Sequence, residues 1–308
     1  TPVIIDERAD IRMAVNSILL SKTFDNGMIC ASEQSVVCLD EVYDKVRQEF
    51  LWRGAWFADK EQAEALCGVI FKNGKVNSAI VGQPAYKIAA MAGITLPESV
   101  KVLIAERDEV RPDDPFGHEK LSPVLGMYRV PDFTAALDTA KRLILQGGAG
   151  HTSVLYTDES KRDRIDVFEE VMPTGRTLVN MPASQGAIGD VFNFRVAPSL
   201  TLGCGSWGGN SVSENIGVKH LMNIKTVAAR RENMLWFKVP RRIYFKLGSL
   251  RPALEEYKDK KRAVIVTDAN MVSCGYVAKV EKVLADLGTD CRVFSEVQPD
   301  PTMATARK

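Results

Sequence analysis

Several familiar signals are missing from this chain, and each absence removes a class of function. No apolar run approaches the roughly 18 residues that a membrane span needs, and the N-terminus carries no basic-then-apolar signal segment. The six cysteines, at positions 30, 38, 67, 204, 274 and 291, form no C-x-x-C pair. They argue against a zinc ribbon or disulfide framework and for the reduced thiols of a cytoplasmic protein. Histidine is scarce: only His118, His151 and His220 are available for imidazole chemistry. His118-Glu119 has no second His one helical turn further on, so the H-E-x-x-H zinc pattern fails and no metal ligands are expected. Near the start, no Gly-rich G-x-G-x-x-G turn follows a strand. The formal net charge of +1 gives no overall pull towards nucleic acid or an anionic membrane.

What is present describes an α/β protein. The 308 residues, 45% hydrophobic and 26% charged, give enough length for two domains and a substantial core. A strand-like run opens the chain at 2–5. Asp10 then caps a helix whose apolar residues Ile11, Ala14, Val15, Ile18 and Leu19 recur at helical spacing. Residues 36–39 read as a strand, and 40–51 as a helix capped by Asp40. Residues 61–72 read as a helix stopped by Asn73-Gly74, and 84–92 as another ended by Gly93. Further strands are expected at 100–105, 154–156 and 176–180, the last followed by a loop at 182–186, with a well-patterned helix at 132–145. From Arg262 onward, strand 263–268, helix 277–287 and strand 292–294 make a βαβ unit.

One stretch stands out chemically. Ser21-Lys22-Thr23-Phe24-Asp25-Asn26-Gly27-Met28-Ile29-Cys30-Ala31-Ser32-Glu33-Gln34 joins the first helix to the strand at 36–39. Asp25-Asn26-Gly27 is a strong turn signal, because Asn and Gly tolerate positive φ. Cys30 follows at once among small and polar neighbours. At the start of a short helical turn its sulfur would meet the positive end of the backbone dipoles, which lowers a thiol pKa. The competing reading is a buried Cys acting as a small hydrophobe.

The same stretch resembles the active-site segment of the acylating aldehyde dehydrogenases found in bifunctional aldehyde-alcohol dehydrogenases. Five further motifs resemble that family in the same order. They are Ile80-Val81-Gly82-Gln83-Pro84-Ala85-Tyr86-Lys87, His118-Glu119-Lys120-Leu121-Ser122-Pro123, Gly147-Gly148-Ala149-Gly150-His151-Thr152-Ser153, and Pro182-Ala183-Ser184-Gln185-Gly186 followed by Leu202-Gly203-Cys204-Gly205-Ser206-Trp207-Gly208-Gly209-Asn210-Ser211. The resemblance implies an aldehyde-dehydrogenase-like catalytic domain at 1–199, a return, oligomerisation and linker segment at 200–247, and the start of an iron-dependent alcohol dehydrogenase domain at 248–308. That last part is a partial Rossmann-like βαβ unit, and the chain is expected to lack the first part of the aldehyde dehydrogenase.

The implied activity is CoA-acylating acetaldehyde dehydrogenation with NAD. Cys30 is the nucleophile that carries a thioester, and His151 assists proton transfer at sulfur. Glu119 meets the ribose beside the nicotinamide, and Asp268, at the end of the first strand of the βαβ unit, meets the adenosine ribose. Coenzyme A is the co-substrate, acetaldehyde and acetyl-CoA are the substrate pair, and iron belongs to a part of the alcohol dehydrogenase absent here. The family also implies a homo-oligomer or helical filament; a second reading is therefore an inactive fragment whose main property is self-assembly. Read from the residues alone, His151 could order its loop by donating to a carbonyl, and Glu119 could be a solvated loop carboxylate. The Gly- and Ser-rich 200–210 region reads mainly as structure near the site. The basic stretch of Lys225, Arg230, Arg231, Lys238, Arg241, Arg242 and Lys246 reads as linker and subunit surface, with Pro240 at the joint, and not as a nucleic-acid surface.

Overall fold

The computed structural model describes residues 1–189, 195–229 and 238–307. It divides into two compact units, Thr1–Lys225 and Thr226–Lys308. The first is built on seven strands: β1 (Pro2–Ile5), β2 (Ser35–Leu39), β3 (Ala55–Ala58), β6 (Val102–Arg107), β7 (Val124–Val130), β8 (Gly150–Tyr156) and β9 (Thr174–Val179). They form one sheet in the order β3-β6-β7-β2-β1-β8-β9, and every pairing within it is parallel. A parallel sheet is covered on both faces, so its strands need continuous apolar runs. Val3, Ile4 and Ile5 of β1 and Val36, Val37 and Cys38 of β2 have no exposed surface.

The helices α1 (Ile11–Thr23), α2 (Asp40–Trp52), α3 (Lys60–Ile70), α4 (Ala85–Met91), α5 (Phe133–Gly147), α6 (Arg162–Val171) and α7 (Ala183–Ile188) connect these strands. The Asp10 cap forms as expected, its carboxylate accepting the Met13 N–H at 3.0 Å. On α5 the expected face is the buried one: Ala136, Leu137, Ala140, Leu143 and Ile144.

Four local expectations are corrected. Leu39, not Asp40, is the N-cap of α2, and no side chain caps it; Asp40 instead pairs with Arg129. Asn73-Gly74 does not end a helix. It turns a small antiparallel hairpin of β4 (Phe71–Lys72) and β5 (Lys75–Val76), with both residues at positive φ as such tight turns demand. Residues 182–186 are not a loop, because Ala183 opens α7 directly after Pro182. His151 lies inside β8 and not in the loop before it.

The second unit contains α8 (Leu250–Glu255), β10 (Arg262–Val266), α9 (Ala269–Ser273), α10 (Tyr276–Asp286), β11 (Asp290–Phe294) and α11 (Met303–Ala306). β10 and β11 pair in parallel across α9 and α10, as the βαβ pattern requires. Of the basic stretch, Arg230 and Arg231 lie outside the described residues, as do Glu232, Trp236 and Phe237; Arg242 pairs with Glu256. Among the described residues no helix is long and apolar enough to cross a membrane.

Candidate active site

The turn after α1 forms as its sequence demands. Asp25, Asn26 and Gly27 all have positive φ (49°, 47° and 76°). A Cβ on Gly27 would stand 2.7 Å from the backbone C and O of Ser122, so only glycine fits where the turn meets the 118–123 segment. Asn26 fastens the other side, donating to the Gly82 carbonyl at 3.0 Å. This fixed turn delivers Cys30 to a cavity of about 330 Å³, whose walls include Gln34, His118, Glu119, His151, Thr152, Cys204 and Asn210. Three of the four expected site residues, Cys30, Glu119 and His151, therefore converge on one space. Among the described residues no group of three or more His, Cys, Asp or Glu is placed to hold a metal.

The cavity lies at the amino-terminal edge of the sheet. The first residues of β1, β2, β8 and β9 (Pro2, Ser35, Gly150 and Thr174) line it or adjoin a lining residue, and so do Gly147 and Gly148 at the C-terminal end of α5. Open parallel sheets more often bind ligands at the carboxyl edge. This placement decides the electrostatics of the thiol. Cys30 lies in a turn and starts no helix, while α5 presents the negative end of its dipole to the cavity.

The expectation of a lowered thiol pKa is thus overturned. Burial and then the Glu119 carboxylate push the Cys30 thiol up, and the N–H groups of Ala31 and Cys30 itself, which bond the sulfur, only partly oppose them. The two other thiols of this unit's interior are raised by burial too: Cys38 strongly, Cys67 to about 11.

His151 points Nδ1 at the Thr152 hydroxyl, 2.8 Å away. Burial, with a smaller push from the Arg176 guanidinium, lowers its pKa to about 4. The ring is neutral at pH 7, with one nitrogen able to accept a proton. His118 donates from Nε2 to the Pro112 carbonyl at 2.8 Å, a contact that ties its ring to the loop. Glu119 is exposed at the cavity rim. Asp268 belongs to the second unit and caps α9, its Oδ1 accepting from the N–H groups of Asn270 (2.8 Å) and Met271 (3.0 Å).

Sequence reasoning reads 200–210 as structure near the site, and the returning segment forms a wall of the cavity; the residues that hold that wall are what it missed. Gly203, Gly205 and Gly208 have the G-x-G-x-x-G spacing, but only a single 3₁₀ turn, Ser206–Gly208, lies among them. No strand–turn–helix surrounds them, so this is not a dinucleotide turn. The glycines serve close packing instead. A Cβ on Gly150, whose φ is +102°, would stand 2.6 Å from the Cys204 carbonyl oxygen and 2.7 Å from the Gly208 nitrogen. Arg176, 6% exposed, holds this wall. Its Nε and Nη2 donate to Asn215 Oδ1 (2.9 and 2.6 Å) and its Nη1 to the Gly203 carbonyl (3.0 Å). Asn215 in turn donates to the carbonyls of Ala187 and Ala197. Nothing in the local sequence pairs positions 176 and 215.

Lys22 was missed as well, although a signal existed: it continues the apolar stripe of α1 at three and four residues beyond Leu19 and Ile18, and it is fully buried.

This fold is that of the acetylating aldehyde dehydrogenases. The enzyme of that kind from Geobacillus thermoglucosidasius matches with a TM-score of 0.72 and 42% identity, over 77% of this chain and 52% of its own. The chain is more similar still to the bifunctional aldehyde-alcohol dehydrogenases. It is 56% identical over 311 residues to the Escherichia coli K12 protein of that name, covering 100% of this chain and 35% of the relative. To the aldehyde-alcohol dehydrogenase of Clostridium acetobutylicum it is 57% identical, covering 100% and 36% respectively. Residues 240–308 match the family described as iron-containing alcohol dehydrogenase. The chain spans about a third of the length of these bifunctional relatives.

Proposed function

We propose that this chain carries the thiol centre of a CoA-acylating acetaldehyde dehydrogenase, an NAD-dependent oxidoreductase that interconverts acetaldehyde and acetyl-CoA. We read 1–199 as catalytic region, 200–247 as return segment and linker, and 248–308 as the start of the alcohol dehydrogenase half. The observation that carries the reading is the convergence of Cys30, His151 and Glu119 on one cavity. Its volume lies at the lower end of small-molecule sites. It suits an aldehyde, or the reactive end of a cofactor, and not a whole dinucleotide.

In this reading the Cys30 sulfur, deprotonated as it reacts, adds to the aldehyde carbon and forms a thiohemiacetal. Neutral His151 accepts the thiol proton and passes it to the oxygen of the thiohemiacetal. As the hydride leaves, that hydroxyl proton is released through the ring to solvent, and the ring's low basicity keeps each transfer brief. Glu119 at the rim has free oxygens for ribose hydroxyls, which fits the cofactor end that reaches this cavity. NAD, when bound, supplies the acceptor for the hydride that leaves the thiohemiacetal carbon. The resulting Cys30 thioester passes its acyl group to the thiol of coenzyme A, and Cys30 is regenerated. Asp268 is read as the ribose-binding acid of the second unit.

The experiment is isotope exchange between acetyl-CoA and free coenzyme A on the purified chain, a half-reaction that needs only the thiol. Exchange that disappears in Cys30→Ala supports the reading; exchange that survives in Cys30→Ala overturns it.

A further inference from the structure

Three buried polar side chains, Gln34 in the cavity wall and Lys22 and Lys120 behind it, take no part in that chemistry. Lys22 and Lys120 have no exposed surface, and Gln34 has 4%. The Lys120 Nζ donates to the carbonyls of Phe116 (2.7 Å) and His118 (2.6 Å). Its backbone N–H donates to Gln34 Oε1 at 3.1 Å, and Lys22 Nζ reaches the same oxygen at 3.3 Å. Gln34 Nε2 closes the set on the Ser32 carbonyl at 3.4 Å.

Burying an amine among neutral acceptors is costly, and an apolar side chain of similar length would fill the volume at less expense. What the amine adds is direction: two short bonds that fix the carbonyls at 116 and 118. Glu119 lies between the pinned His118 carbonyl and the pinned Lys120 N–H. Gln34 belongs to the segment that carries Cys30, so its carboxamide ties the thiol turn to the carboxylate loop.

We propose that Lys120, acting with Gln34, is a positioning residue that holds the Glu119 carboxylate at the rim of the Cys30 cavity. The proposal rests on the reading of Cys30 as nucleophile and Glu119 as the carboxylate for the cofactor ribose. The titratable side chains that share the cavity with the thiol are Glu119, His118, His151 and Cys204, and the Arg176 guanidinium acts on it by charge. Of these, Glu119 raises the thiol pKa by its charge, so the thiol reports where that carboxylate stands.

The test is the pH profile of iodoacetamide alkylation on the whole chain, read on the Cys30 peptide by mass spectrometry. Glu119→Gln should lower the apparent thiol pKa by about half a unit, about a threefold faster reaction well below that pKa. Lys120→Met should shift it the same way, because the released carboxylate moves into solvent. Loss of a nearby cation would shift it the opposite way, which separates positioning from direct charge. The double variant Lys120→Met/Glu119→Gln should react no faster than Glu119→Gln alone. Gln34→Leu keeps the Lys120 amine but cuts its tie to the thiol segment, and should also lower the thiol pKa. It serves if Lys120→Met does not fold.

A wild-type or raised thiol pKa in folded Lys120→Met or Gln34→Leu overturns the proposal, and so does full additivity in the double variant. Absence of acyl exchange together with the expected thiol shifts would overturn the functional reading and leave the positioning role standing.

Discussion

At the scale of single residues, burial and charge set the reactivity of the site. Cys30 is partly exposed in the cavity, whereas Cys38 is sealed in β2. Alkylation at Cys30 should therefore outpace Cys38 and Cys67 and should steepen above pH 8, because its thiolate is disfavoured by its surroundings. Equal rates at the three peptides would contradict this. His151 carries a second prediction. Between its ordinary value of 6.5 and its folded value of about 4, the unfolded chain binds a proton there that the folded chain does not. Stability from this residue is complete above that window and falls as pH drops through it, by up to about 3 kcal/mol. In thermal melts from pH 7 to pH 4, His151→Gln should lose less stability than wild type; parallel losses would refute the assignment. The residues themselves were legible in the sequence through their motifs. The direction of the thiol shift was not, because it depends on which edge of the sheet holds the cavity.

At the scale of elements, the turn and the returning segment shape the cavity. Gly27→Ala places a methyl group against the Ser122 backbone at positive φ and should cost about 1–3 kcal/mol, read as a shift in the chemical denaturation midpoint. An unchanged midpoint would mean the 118–123 segment yields easily. Asn215→Ala strips the acceptor from two Arg176 donors and should cost about 1.5–3 kcal/mol, the range for hydrogen bonds to a charged group. Local periodicity revealed α1, α5 and the βαβ unit, since their apolar spacing is written within each element. It missed β3, β7 and α6, whose short runs lack clear punctuation, and mistook the Asn73-Gly74 hairpin for a helix stop. The Arg176–Asn215 knot was invisible, because a partner 39 residues away leaves no local pattern.

At the scale of the whole molecule, the two units differ sharply in what they bury. The first encloses the seven-stranded core, while among the described residues of the second only Val277 and Leu284 are buried hydrophobics, and Val264 and Val266 of β10 remain 68% and 67% exposed. Calorimetry should show two transitions, the second unit melting first with the smaller enthalpy; a single cooperative transition would contradict that division. The central claim is that Cys30 accepts an acyl group, and the most direct measurement is mass spectrometry of the chain after brief incubation with acetyl-CoA and acid quench. The account predicts one acetyl group on the Cys30 peptide, removed by added coenzyme A and absent from Cys30→Ser. Acetylation at Cys204 in place of Cys30, or none on either peptide, would contradict it.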